Sequence, residues 1–95
     1  MGMIRLSGKL ICQTHAEARA VAMALPDHIR LTLAEAGCLS FEVTPTADPF
    51  IWQVSESFVD RAAFDAHQTR TATSDWAAQT AAIKRDFSIT EGDAE

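Results

Sequence analysis

The chain has 95 residues, with eight Lys and Arg against thirteen Asp and Glu, a formal charge of −5. Apolar residues make up 47% and charged ones 22%, the balance of an ordinary globular chain, and a chain of this length folds as one domain. No apolar run approaches the ~20 residues that cross a membrane, and no clustered basic face offers itself to a phosphate backbone, so neither a membrane nor nucleic acid is expected as a partner.

Without Glu91, Asp93 and Glu95, ten acidic residues face eight basic ones, and the body carries only −2. Residues 1–90 are therefore read as a single domain and 91–95 as an acidic tail expected to be flexible. The first residues lack the apolar core of a signal peptide. Gly2 is followed by Leu6 where a myristoylation motif has Ser or Thr, so a cytoplasmic protein is expected.

In chain order, residues 3–12 alternate, with Ile4, Leu6, Gly8, Leu10 and Cys12 on one face and Arg5, Ser7 and Lys9 on the other, the period of a half-buried strand. Thr14 and Glu17 have the spacing of a capping box, each able to satisfy a free backbone donor of the other. Ala18, Val21, Leu25, Ile29 and Leu33 then form a helical stripe. Pro26 interrupts it and predicts a kink or a break near Leu25; the stripe keeps its phase through Pro26, which favours the kink. Gly37 is expected to end the helix as a left-handed cap. Cys38 to Thr44 reads as a strand with Leu39, Phe41 and Val43 on one face. A turn follows over residues 44–49, then a strand over residues 50–58 with Phe50, Trp52, Val54, Glu56 and Phe58 on one face. Asp60 caps a short helix with Ala63, Phe64 and His67, and residues 68–73 show little pattern. Ser74 or Thr73 caps a further helical segment with Trp76, Thr80 and Ile83 in line, and residues 87–90 form a last strand.

Two strand–helix–strand halves with right-handed crossovers give an α+β, ferredoxin-like βαββαβ fold: a four-stranded antiparallel sheet with helices on one face. Cys12 ends the first strand and Cys38 begins the second, which runs parallel to it with another strand between. The two thiols then lie at opposite ends of the sheet, too far apart for a disulfide, and Cys38 reads as a small buried hydrophobe rather than a nucleophile. The uncovered sheet face must be polar or be closed over by a partner; a second copy doing so forms a dimeric α+β barrel, and a homodimer is expected.

The sequence lacks a Gly-rich phosphate loop, a His-Glu-x-x-His motif and a Cys-x-x-Cys pair, and its three histidines lack metal-ligand spacing on one helix, so no metal is expected. Four polar residues remain. His67, on the inward face of its helix, is either a buried histidine bonded to a carbonyl or a base beside an apolar pocket, the use for which imidazole is suited near neutral pH. Glu56 interrupts an apolar strand face; it either reaches water at the sheet margin or is paired with His67. His28 and Thr32, four apart at the border of the first helix's stripe, either are solvated or face the same cavity. Trp52 and Trp76 are candidate aromatic walls for a flat substrate and read equally well as core.

From Gly37 onward the chain resembles the antibiotic biosynthesis monooxygenase family of dimeric α+β-barrel proteins. The resemblance is carried by Gly37-Cys38-Leu39-Ser40-Phe41-Glu42-Val43, the Asp48-Pro49-Phe50 turn, Glu56-Ser57-Phe58 and Ala63-Phe64-Asp65-Ala66-His67. It implies a pocket between sheet and helices in each subunit, with His67 at the family's helix histidine and Glu56 at its strand acid. Two departures stand out: Thr73 occupies the place of a frequent second histidine, and Phe58 that of a frequent tryptophan. The heme-degrading branch has Trp at the place of His67, which disfavours heme breakdown. The implied activity is a monooxygenase using neither metal nor flavin, so no cofactor is expected. His67, aided by Glu56, would deprotonate a quinol or other electron-rich aromatic held flat against Trp52, Phe64 or Trp76, and the anion would reduce dioxygen. A non-catalytic small-molecule-binding dimer and a cofactor-free isomerase are the competing expectations.

Overall fold

The computed structural model describes residues 2–92. In chain order they form β1 (Met3–Ile11), α1 (His15–Leu33), β2 (Cys38–Pro45), β3 (Ile51–Phe58), α2 (Arg61–Ala72), α3 (Asp75–Thr80) and β4 (Lys84–Gly92). The strands make one antiparallel sheet in the order β2-β3-β1-β4, the α+β, ferredoxin-like arrangement expected from the alternation of the strands.

Strand β1 is central, and its register sets the inner face. Ile4, Leu6 and Leu10 align with Phe58, Glu56 and Trp52 of β3 on one side, and with Glu91, Ile89 and Arg85 of β4 on the other. Ile4, Leu6, Leu10, Val54 and Phe58 form the sheet half of the core, and Val21, Leu25, Phe64 and Trp76 close it from the helices. The outer face carries Arg5, Ser7 and Lys9 beside Gln53, Ser55 and Ser57. It is polar, and it is tied together by a 2.6 Å Ser40–Ser57 hydroxyl bond and by Gln53 Nε2 donating to the Gly8 carbonyl at 2.9 Å.

Glycine at position 8 is a steric requirement. Its φ is +153°, and a Cβ there would lie 2.0 Å from the Asp86 carbonyl oxygen, so β1 and β4 approach this closely only because no side chain intervenes.

Several local expectations are corrected. Helix α1 runs unbroken through Pro26, which rules out the break and leaves the kink untouched; the carbonyl that loses its donor belongs to exposed Ala22, where water can replace the missing bond. Its buried stripe is Val21, Ala24, Leu25, His28 and Thr32, rotated from the expected one, and Leu33 is left 55% exposed. In the capping box Thr14 accepts from the Glu17 N–H as expected, but the Glu17 carboxylate accepts from Gln13 N–H, one residue earlier. Gly37 has no positive φ, and the helix is capped by Ala34 in the right-handed region. Gly37 serves packing: a Cβ there would lie 2.3 Å from the Ala63 Cβ. Leu39 is not on the face of Phe41 and Val43. The ladder shifts register between Cys38 and Ser40, and this bulge turns Leu39 outward. The unpatterned residues 68–72 continue α2, and β4 begins at Lys84 and takes in Glu91 and Gly92, with Glu91 paired to Arg61 at 3.0 Å. The remaining tail residues 93–95 lie outside the described residues.

Cys12 and Cys38 are free. Cys38 aligns with Phe58 at one end of β3, while Cys12 N–H bonds the Phe50 carbonyl beyond the other end. Burial pushes both thiols above the ordinary range, the opposite of what a nucleophilic thiolate needs.

Gly37→Ala is expected to cost ~1–3 kcal/mol, as overpacking does, measured by urea denaturation. A double-mutant cycle with Ala63→Gly should show a coupling of at least ~0.5 kcal/mol; independent costs would contradict the contact.

Candidate functional site

Between the sheet and the helices lies a cavity of about 310 Å³. Its sheet wall is Leu6, Leu10, Phe41, Val43, Val54, Glu56, Arg85 and Phe87, and its helix wall is His28, His67, Gln68, Thr71, Ala72 and Trp76. This is an apolar chamber with a few convergent polar groups, the form of a small-molecule site.

His67 reaches the cavity because α2, capped by Asp60 on the Ala63 N–H, turns Phe64 and His67 inward together. The imidazole is 2% exposed and lies against Phe58, with ring centroids 4.9 Å apart. Its Nδ1 lies 2.9 Å from Glu35 Oε1. A carboxylate only accepts, so Nδ1 carries the proton and Nε2 is left with a lone pair in the neutral ring. Nε2 faces Thr71 Oγ1 at 3.4 Å and Glu56 Oε1 at 3.8 Å. Burial lowers the affinity of His67 for a second proton, and the bond to Glu35 opposes that shift only in part. The neutral ring is therefore favoured.

Glu35 is the residue the sequence reading missed. It stands in the tight turn after α1, where its N–H bonds Thr32 O and its carbonyl accepts from Cys38 N–H. Its other carboxylate oxygen is ion-paired with Arg70 Nε, and Arg70 Nη2 donates to Thr32 Oγ1 at 3.0 Å. Loop, α1 and α2 are thereby fixed around one imidazole. No local pattern announces this: Glu35 sits outside any periodic segment, and Arg70 falls in the stretch without pattern.

Glu56 does not reach water at the sheet margin. It is 8% exposed, and its Oε1 has no hydrogen-bond partner among the described residues. Burial, helped by the charge of Glu35, raises its pKa from 4.5 to about 7, so near neutrality it holds its proton about half the time. It faces His67 beyond hydrogen-bonding distance, and the carboxylate bonded to His67 is Glu35.

His28 is also inside, 4% exposed, with its ring stacked on Trp76 at 4.6 Å and 1° and edge-on to Phe41 at 5.2 Å. Burial first, then the positive charge near it, lowers its pKa to about 4, and its Nδ1 has no partner among the described residues. The geometry thus brings His67, Glu56, His28 and Trp76 into the lining of one cavity. The other three expected residues are elsewhere: Phe64 packs against Phe58 at 5.6 Å, Thr32 is buried under Arg70, and Trp52 packs against the core without lining the cavity. Among the described residues, no group of three or more His, Cys, Asp or Glu is placed to hold a metal ion, and no helix is long and apolar enough to cross a membrane.

Residues 13–79 match the family model described as Antibiotic biosynthesis monooxygenase. A comparison with curated proteins finds no match. Among solved structures, the chain is similar to a Nitrosomonas europaea protein provisionally named an antibiotic biosynthesis monooxygenase, at 20% identity and a TM-score of 0.79, over 97% of this chain and 92% of that one. A Caulobacter crescentus protein with the same provisional name has 22% identity and a TM-score of 0.71, over 99% and 91%. A Mycobacterium tuberculosis protein has 21% identity and a TM-score of 0.77, over 98% and 95%. At these identities the structural likeness establishes the fold.

The raised pKa of Glu56 has a definite sign in stability. The unfolded chain releases this proton near 4.5 and the folded chain near 7, so the contribution of Glu56 is complete below the first value and is lost as pH rises through the second. Between pH 5 and pH 8, the wild type should lose ~1–3 kcal/mol relative to Glu56→Gln in paired denaturation curves; parallel behaviour of the two proteins would contradict the buried carboxyl.

Proposed function

Because this chain belongs to the antibiotic biosynthesis monooxygenase family, we propose that it oxidises a quinol or other electron-rich aromatic with dioxygen, using no metal or flavin. The observation that carries the reading is His67, held by Glu35 through Nδ1, with the Nε2 lone pair at the wall of an aromatic-lined cavity, where the Thr71 hydroxyl meets it at 3.4 Å. A flat ring fits beside Trp76 and Phe41. His67 Nε2 takes a hydroxyl proton, and the positive imidazolium so formed is stabilised by Glu35 across the same hydrogen bond. Glu56, poised near neutrality, accepts or returns a proton across the same space.

The chemistry balances without a cofactor. The quinol anion gives one electron to dioxygen, and the resulting radical and superoxide combine through a new carbon–oxygen bond. The hydroperoxide loses its O–O bond as the ring carbon gives up its proton, and the products are a hydroxyquinone and water. Both electrons that reduce the second oxygen atom come from the substrate. The protein contributes orientation, a placed base and exclusion of water.

A cofactor-free isomerase would use the same base without dioxygen, and a binding dimer would use the cavity without the base. We further propose that two copies pair over the uncovered sheet face. The support there is charge: Arg5 and Lys9 lie on the same outer surface as Glu42 and Asp86, so one copy can offer each charge its opposite on the other.

Oxygen uptake with a panel of hydroquinones should reveal a responsive substrate, and His67→Ala should lower that rate by about 10²–10⁴-fold; an unchanged rate removes His67 from the chemistry. Product formation under nitrogen would favour isomerisation. Sedimentation at micromolar concentration should give twice the chain mass, and a monomer would contradict the pairing.

A further inference from the structure

Among the charged groups of the cavity wall, Arg85 stands without a counter-charge. Glu35 and Arg70 neutralise each other outside the wall, whereas no carboxylate of the described residues forms an ion pair with Arg85. Arg85 aligns with Leu10 on the inner face of β4, two residues before Phe87, and lines the chamber.

Its guanidinium is fixed on one edge only. Nη1 donates to the carbonyls of Thr80 and Ile83, each at 2.9 Å, and Nη2 donates to Thr80 Oγ1 at 2.8 Å. Three of the five N–H groups are used in this way, both of Nη1 and one of Nη2. The Nε–H and the second Nη2–H, which form the side edge, have no partner among the described residues. That edge is the fork that grips a carboxylate through two parallel bonds. The anchor is also tied to the aromatic wall: Thr80 Oγ1 donates to the Trp76 carbonyl at 2.7 Å, and Trp76 is the ring stacked on His28.

Closing the end of α3 accounts for the bonded edge and leaves the other unexplained. Burial penalises the charge of Arg85, and its field reaches His28, where it is one of the influences holding that imidazole neutral. The wall thus keeps a solvent-reachable, partly desolvated cation with no ion-pair partner among the described residues, and an anion on the ligand would supply one.

We propose that Arg85 receives a carboxylate carried by the aromatic ligand, so that the cavity selects aromatic hydroxy acids over neutral phenols. With the carboxylate on Arg85 and the ring beside Trp76, the ligand lies in the chamber that His67 and Glu56 also line. The inference rests on the cavity being a site for aromatic ligands, and it is independent of dioxygen chemistry.

The test is calorimetric titration of the full chain under nitrogen at pH 7, with 1-naphthol and 1-hydroxy-2-naphthoate as a matched pair. The carboxylate should bind ~10–100-fold more tightly, the usual range for a charge-assisted fork. In Arg85→Gln the preference should fall to within about twofold, and Arg85→Lys, which keeps the charge without the fork, should lie between the two. Because Arg85 also closes α3, circular dichroism checks the fold of each variant. If the glutamine variant unfolds, the lysine variant decides the question by a fall of at least ~3-fold. Equal affinities in the wild type, no binding of the carboxylate, or a preference that survives substitution would overturn the proposal. A wild type that prefers the carboxylate but consumes no oxygen with any hydroquinone would overturn the oxygenase reading alone.

Discussion

A carboxylate that accepts a hydrogen bond from one nitrogen of a buried imidazole decides what the other nitrogen can do, and the bond between Glu35 and His67 is the constraint on which this site depends. Without Glu35, burial would leave the proton of neutral His67 free to sit on either nitrogen; with it, the proton is on Nδ1 and the lone pair is on Nε2, in the cavity. The supports of that bond run through much of the molecule. The turn after α1 places Glu35, the absence of a side chain at Gly37 lets α2 come close enough at Ala63, and Arg70 ties the carboxylate to Thr32 of α1. Each support is modest by itself. Together they hold a base in one orientation, which matters for proton transfer because a small misplacement costs rate steeply.

Desolvation then sets the electrostatic character of the chamber. It drives Glu56 toward its protonated form and His28 and His67 toward their unprotonated ones, so these three groups are shifted toward their neutral forms. Such a place suits a reaction that begins by moving one proton from substrate to imidazole, since neither group has to be stripped of a charge beforehand. The imidazolium and substrate anion that result are a pair, and Glu35 stabilises the positive member. Arg85, the cation left over, lines the same space.

The fold was legible because strand alternation is a direct record of burial: β1 and β3 read correctly almost residue by residue, and two strand–helix–strand halves leave few topologies. The inward face of His67 followed from its spacing to Phe64. Legibility failed where polar residues were buried for long-range reasons. The stripe of α1 was read from its apolar residues, so Leu33 was placed inside, while His28 and Thr32, which replace it in the buried face, were set at the border. Glu35 meets His67 and Arg70 across 32 and 35 positions of sequence, and no local period connects residues so far apart. Residues 68–72 showed no amphipathic pattern because the helix there is held largely by polar contacts. Phe64, Thr32 and Trp52 belong to the support of the site rather than its wall, a distinction that residue type alone does not make.

The tautomer of His67 is the central claim in its most direct form, and nitrogen NMR of the imidazole reads it. At pH 7 the spectrum should show a neutral ring protonated on Nδ1, and Glu35→Gln should weaken that preference. A His67 that is doubly protonated at pH 7, or neutral with its proton on Nε2, would contradict the account, because no lone pair would then face the cavity.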